Sequence, residues 1–206
     1  MNDLLTTIIS YFNLALLAIG AQNAIFTRAL GISPGIKMLR DPRKNTFYFC
    51  SALTVFQVMT SVLVYFALPL VDKLGFGAYR RFVLPTIIVV ACAISYVVVI
   101  LVLSAALSEG RFRAVVQSVT GASINSAIVG TVILSTNYGL TLAESIVFGI
   151  ASSVGYLFAM LLIAEADKKI CHERVPQAFR GLPITLLYIS VLALAIYGLT
   201  GHAVAL

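Results

Sequence analysis

The chain has 206 residues, of which 60% are hydrophobic and only 11% are charged. Soluble domains carry about 25% charged residues, so this composition excludes a soluble enzyme, a nucleic-acid-binding domain and a receptor with a large ectodomain. The formal net charge is +6 because 14 Lys and Arg residues outnumber 8 acids. In a membrane chain such an excess marks cytoplasmic loops rather than contacts with nucleic acid.

Six uncharged runs divide the chain, and the shortest of them has 20 residues. They span residues 4–27, 45–71, 82–108, 114–143, 145–164 and 181–201. A membrane-spanning helix needs about 20 apolar residues, and only short loops connect the runs. The sequence therefore predicts an all-α membrane protein with six transmembrane helices, forming a single integral membrane domain over residues 1–206.

The distribution of basic residues between the loops predicts the orientation. Ten Lys and Arg residues lie in the loops after the first, third and fifth spans, whereas three lie in the loop after the second. Because basic loops are retained in the cytoplasm, we expect the odd-numbered loops inside and both termini outside. The ten are Lys37, Arg40, Arg43, Lys44, Arg111, Arg113, Lys168, Lys169, Arg174 and Arg180, and the three are Lys73, Arg80 and Arg81.

The segment 4–36 is too long for one straight span, although Arg28 is its only charged residue. As a single helix it would be roughly 50 Å long at 1.5 Å per residue, against about 30 Å of hydrocarbon. Gln22 and Asn23 place polar groups inside it, and Pro34 breaks a helix. We therefore predict a half-helix, a polar break and a second piece.

The fourth run, 114–143, is interrupted in a similar way. The first break reads Gly20-Ala-Gln-Asn-Ala-Ile and the second reads Gly121-Ala-Ser-Ile-Asn-Ser-Ala-Ile. Three spans per half is an odd number, so a duplicated half enters the membrane in the opposite sense. This predicts two inverted three-helix repeats, 1–108 and 109–206, with interrupted helices 1 and 4 that meet near the midplane. The alternative is chance similarity between small residues.

No enzymatic constellation is recognisable, and the acidic residues all lie in loops or at span ends. We therefore predict no catalytic residues and no metal site formed by acids and histidines. The polar residues expected at membrane depth are the candidates for an ion path or a midplane polar cavity, unless they only bond neighbouring helices. Arg28 either extends to the interface or is a buried cation. These candidates are Gln22, Asn23, Arg28, Ser123, Asn125 and Ser126.

Four sequence stretches resemble the RnfA/NqrE family, which comprises six-span subunits of Rnf and sodium-pumping NADH:quinone oxidoreductase complexes. They are the first break with its continuation, Gln22-Asn-Ala-Ile-Phe-Thr-Arg-Ala-Leu-Gly-Ile-Ser-Pro34, the second break, Ser123-Ile-Asn-Ser-Ala-Ile-Val-Gly130, the fifth span with Gly149 and Gly155, and the loop Val175-Pro-Gln-Ala-Phe-Arg-Gly181. The resemblance implies a bacterial-type cytoplasmic (inner) membrane location. It also implies a homologous inverted partner of the RnfE/NqrD kind among the other subunits.

The resemblance further implies a 2Fe-2S cluster shared with the partner subunit, held by one cysteine at each half-helix break. These two positions fall on Ser33 and Ser126 in this sequence. Iron–sulfur clusters are held by thiolates, and a neutral hydroxyl is a poor substitute. We therefore predict that this chain contributes no iron ligands at those positions.

Two functions are compatible with these features. The first is a membrane subunit of an Rnf/Nqr-like electron-transport complex, taking part in transmembrane electron transfer or in coupled Na+ or H+ translocation. The second is a small secondary transporter or scaffold subunit that has the same inverted-repeat fold without a redox centre. The asparagines and the loop motif favour the first, and the serine pair favours the second.

Overall fold

The computed structural model describes residues 2–33, 36, 46–75, 77–169 and 175–200, and no strand occurs among them. Seven α-helices follow one another in these ranges, with 3-10 turns at Gly77–Tyr79 and Gln177–Phe179. The helices are α1 (Asn2–Ile19), α2 (Thr46–Lys73), α3 (Arg80–Ala106), α4 (Glu109–Ser123), α5 (Ser126–Asn137), α6 (Leu142–Lys169) and α7 (Leu182–Thr200).

The helices coincide with the predicted apolar runs, which confirms an all-α membrane protein. Three stretches are long and apolar enough to cross a bilayer, namely Tyr48–Lys73, Gly77–Ala106 and Leu142–Ala166. α4 and α5 pass the same test as one span that is bent by 48°. Two shorter apolar helices, Leu4–Ile19 and Leu182–Gly198, occupy the places of the first and sixth predicted spans. Helices are favoured here because hydrocarbon leaves the backbone no other hydrogen-bonding partner.

Both predicted interruptions are present. After α1 ends at Ile19 the chain runs through successive turns, with positive φ at Ala29 (+54°) and Gly31 (+74°), and helical backbone resumes at Ile32. The second interruption consists of only two residues, Ile124 and Asn125, between α4 and α5. The first break is therefore a folded loop, whereas the second is a sharp bend.

The two long helices α2 and α6 lie side by side at the centre, and the largest fully buried side chains come mostly from them. α1 packs against α6, and α4 packs against α2. The first helix of each half thus contacts the long central helix of the other half. α3 flanks α2, and α7 flanks α6. Large side chains buried in α2 and α6 include Phe49, Phe56, Phe148, Tyr156 and Met160.

The flanking helices form an apolar periphery. α3 exposes Val89, Val97 and Leu101, and α7 exposes Val191 and Leu194. In a bilayer such surfaces face lipid or another protein, so the polar groups of the breaks are confined to the space between the central helices.

Several residues used to predict the orientation lie outside the described residues. They are Lys37, Arg40, Arg43, Lys44 and Arg174, and Pro34 and the C-terminal residues 201–206 lie outside them as well.

Candidate functional site

Asn23 holds the first break together by using its whole side-chain amide. Its Nδ2 donates to the carbonyl oxygens of Ile19 (2.9 Å) and Gly155 (2.8 Å). Its Oδ1 accepts from the backbone nitrogens of Ile25 (3.0 Å) and Phe26 (3.3 Å). The buried amide thus satisfies backbone groups that the end of α1 leaves without helical partners. It also ties the break to α6.

Asn125 has the corresponding place at the second break. It is the N-cap of α5, and its Oδ1 accepts from the backbone nitrogen of Ala127 at 3.0 Å. Asn23 makes the same bond, from Oδ1 to the nitrogen two residues later. Asn125 is 3% exposed, and its Nδ2 has no partner among the described residues. Unlike Asn23, it therefore retains an unsatisfied donor.

The two breaks meet at Gly31. Its backbone nitrogen donates to Ser126 Oγ (2.9 Å), and its carbonyl oxygen accepts from the Tyr156 hydroxyl (2.7 Å). Its φ of +74° favours glycine. A Cβ atom here would collide with Asn125 Oδ1 and would lie 2.7 Å from Tyr156 Cε2. The absence of a side chain therefore allows the two interrupted helices to touch.

Gly155 permits a second close approach, between α6 and the end of α1. A Cβ atom at this position would lie 2.9 Å from Ile19 Cα and 3.1 Å from Asn23 Nδ2, closer than real Cβ contacts. At Gly149 an added Cβ would make only ordinary contacts with α2, the nearest at 3.7 Å. Close packing thus requires glycine at position 155, whereas at 149 there is space for a methyl group.

A polar network lies between α2, α5 and α6, beside the breaks. Gln57 Nε2 donates to Thr131 Oγ1 (3.2 Å), and Gln57 Oε1 accepts from Ser153 Oγ. Thr131 Oγ1 is also paired with Ser152 Oγ at 2.9 Å. All four side chains are buried. Buried neutral groups that satisfy one another in this way are stable inside a membrane domain.

Two of the predicted site residues lie apart from this buried centre. Arg28 is exposed, and its Nη2 donates to Gln22 Oε1 at 3.1 Å. Gln22 is half-buried. Arg28 is thus not a buried cation, which leaves the interfacial interpretation of this residue.

Ser33 and Ser126 are both exposed, and Ser126 contacts Gly31, two residues before Ser33. An open, mostly apolar cleft of about 660 Å³ lies beside the second break, with Ser126 in its lining. Ser123 also lines it, although its hydroxyl donates to the Thr120 carbonyl within α4. Ile124, in the same cleft, is 80% exposed. The second break therefore presents an apolar side chain to whatever surrounds the protein.

The 2Fe-2S cluster implied by the family resemblance does not fit the residues present. The two expected positions offer hydroxyls, and Ser126 Oγ already accepts the hydrogen bond from Gly31. Cys50 is buried in α2, and Cys92, on α3, pairs with Thr60 Oγ1 at 3.7 Å. No group of three His, Cys, Asp or Glu side chains gathers anywhere in the described ranges. We therefore assign no electron-transfer step to side chains of this chain.

Sequence reasoning missed Tyr156, Gln57, Thr131 and the serines of α6 because it searched for polar groups only at the breaks. A signal was available in the helical spacing. Gln57 and Ser61 are four residues apart, as are Ser152 and Tyr156, so each pair lies on one helix face. Such polar stripes within apolar runs indicate faces that turn toward each other.

The fold and the joined breaks define a polytopic α-helical membrane protein built around two interrupted helices. The chain belongs to the Rnf-Nqr family, described as Rnf-Nqr subunit, membrane protein, which it matches over residues 11–203. This confirms the family indicated by the sequence motifs.

Named relatives show how far the similarity extends. One subunit of the ion-translocating oxidoreductase complex of Syntrophotalea carbinolica is 29% identical over 198 residues, which cover 92% of this chain and 97% of that protein. The subunit of the same name from Buchnera aphidicola is 24% identical over 208 residues, or 94% of this chain and 97% of the relative. One subunit of the Na(+)-translocating NADH-quinone reductase of Saccharophagus degradans is 35% identical over 81 residues, and this match spans only 40% of its length.

Proposed function

We propose that this chain is a membrane subunit of an ion-translocating oxidoreductase complex of the Rnf/Nqr kind. Its part in that complex is the coupling of electron transport to ion movement. The meeting of the two breaks at Gly31 carries the proposal. Where interrupted helices meet inside a membrane, their free backbone groups and adjacent polar side chains form the binding sites of ion transporters. The names of the relatives support the same function.

A two-fold inverted repeat, with halves 1–108 and 109–206, is part of the proposal. The crosswise packing of α1 on α6 and of α4 on α2 is what a two-fold relation between the halves requires. The equivalent capping by Asn23 and Asn125 supports it too. The positions of the basic loops favour termini on the outer side of a cytoplasmic (inner) membrane.

A homologous inverted partner of the RnfE/NqrD kind would cover the apolar cleft at the second break. Ile124 projects there, and the unpartnered Nδ2 of Asn125 lies in the same lining. An unsatisfied buried donor is costly when hydrocarbon surrounds it. A protein surface with a carbonyl or hydroxyl acceptor satisfies this donor, whereas lipid chains do not.

The cofactor prediction limits what this subunit does on its own. With hydroxyls at both family ligand positions, electrons pass through other subunits or through a centre that other subunits hold. A secondary transporter or scaffold subunit without a redox centre is the second candidate, and the serine pair favours it. The two candidates differ in whether ion movement requires an electron donor.

Purification and transport measurements from the source membrane test the proposal. A tagged chain should copurify with redox-active subunits. Inside-out vesicles should accumulate the coupling ion when NADH or another electron donor is added. Deletion of the gene should abolish this accumulation, and the reintroduced chain should restore it. If the chain purifies without redox subunits and vesicles move ions without a donor, the second candidate is correct.

A further inference from the structure

A second polar cavity, of about 300 Å³, opens between α2, α5 and α6. It lies where α2 ends and α3 begins, beside the loop that joins α5 to α6. By the distribution of basic residues, these loops face outward. Its polar lining consists mainly of Ser61, Asp72, Arg80, Ser135, Thr136 and Ser145.

The cavity reaches from the surface to about half the depth of the membrane. Asp72 and Arg80 form its mouth as an ion pair at 4.0 Å, with both side chains about half exposed. Ser61, also in the lining, precedes Asp72 by 11 residues on the same helix. At 1.5 Å per residue this separation is about 16 Å, compared with roughly 30 Å of hydrocarbon.

The inner end of the cavity has an unsatisfied polar group. Ser61 is 3% exposed, and its Oγ has no hydrogen-bond partner among the described residues. Buried hydroxyls are nearly always paired, with protein or with ordered water. An unpaired one that lines a cavity therefore indicates that something in the cavity supplies the partner.

The remaining hydroxyls are arranged to accept rather than to donate. The proton of Ser135 is directed to Ser145 Oγ, and that of Thr136 to the Val132 carbonyl. Their free lone pairs are oriented for a hard cation, which prefers oxygen ligands. The described part of the chain has no cluster of carboxylates to balance a divalent charge. Neutral oxygens and one carboxylate instead suit a monovalent ion.

We propose that this cavity is a Na+ site on the outer half of the protein. Its role as one end of an ion path rests on the proposed function, whereas binding does not. Inward of Ser61, one helical turn along α2, Gln57 begins the buried network with Thr131, Ser152 and Ser153. Thr131 Oγ1 also donates to the Ala127 carbonyl in the first turn of α5, next to the second break. Polar groups thus continue from the cavity to the point where the breaks meet.

Equilibrium binding of radioactive Na+ to the purified complex tests the site itself. Ser61→Ala removes the unpaired oxygen with almost no change in shape. It should eliminate one saturable Na+ site per complex or weaken it by about tenfold or more, since an oxygen ligand to the ion is lost. Ser118→Ala is the matched control, because Ser118 is an equally buried, unpaired serine that is not in the lining of this cavity. It should bind Na+ like the unmodified complex.

Donor-driven Na+ uptake into vesicles tests the role. Ser61→Ala should raise the Na+ concentration for half-maximal uptake, while the maximal rate is retained in complexes that assemble normally by gel filtration. If binding and uptake are both unchanged, the site is wrong although the proposed function stands. If the intact complex shows no donor-driven ion uptake, the proposed function fails, and the binding measurement still decides the site.

Discussion

Replacing Gly31 by alanine is a direct test of how the two interrupted helices are joined. The new methyl group would occupy space held by Asn125 Oδ1 and would lie 2.7 Å from Tyr156 Cε2. It would also force a side chain into a backbone with φ of +74°. The substitution therefore combines backbone strain, overpacking and loss of the hydrogen bonds to Ser126 and Tyr156.

The magnitude follows from these three contributions. A non-glycine residue in the left-handed region costs about 1–2 kcal/mol, and overpacking costs about 1–3 kcal/mol. Two hydrogen bonds contribute about 0.5–1.5 kcal/mol each. We expect Gly31→Ala to lower the free energy of unfolding by about 3–8 kcal/mol in total. This is enough to unfold most of a marginally stable domain.

The measurement is the thermal stability of the purified complex in detergent, followed by the loss of the monodisperse peak in gel filtration. Gly139→Ala is the matched control, because Gly139 has φ of +61° but nothing within 4 Å of an added Cβ. It isolates the backbone contribution and should cost only about 1–2 kcal/mol. If Gly31→Ala is no less stable than Gly139→Ala, the close contact between the breaks does not exist.

The remaining predictions concern the asparagines, the serine pair and the membrane topology. Asn23→Ala should destabilise the complex more than Asn125→Ala, because Asn23 makes four hydrogen bonds and Asn125 one; the loss of a single cap costs about 1 kcal/mol, and denaturation midpoints compare the two. Introducing Ser33→Cys together with Ser126→Cys should raise the iron content and visible absorbance of the assembled complex, whereas unchanged iron would show that the two positions do not face a common centre. A C-terminal reporter that is active only in the cytoplasm should be silent, and strong activity would reverse the orientation.

The sequence determined the helices and the location of the breaks because both depend on local properties. Long uncharged runs have few alternatives to helix in a membrane, and amides inside such runs indicate where the helix is interrupted. Asn23 and Asn125 were identified for this reason. Their capping bonds join residues only two or three positions apart along the chain.

The contacts that join the breaks could not be predicted because they link distant parts of the chain. The Ser126–Gly31 bond spans 95 residues, and the Tyr156–Gly31 bond spans 125. Nothing in the local pattern shows that Tyr156 faces a backbone carbonyl rather than lipid. The polar network around Gln57 was missed for the same reason, since it exists only when α2, α5 and α6 are packed together.

The pattern of satisfied and unsatisfied polar groups separates the internal structure of this protein from its external partners. Asn23, Gln57 and Tyr156 are buried and hydrogen-bonded within the chain, so they need nothing from outside. Asn125 Nδ2 and Ser61 Oγ are buried and unpaired, and each lies in the lining of a different open cavity. The cavity at Asn125 is apolar and suits a protein surface, whereas that at Ser61 is rich in oxygen and suits a cation. A buried polar group is costly when it is unpaired, so the two cavities mark the places where the assembled complex supplies what the single chain lacks.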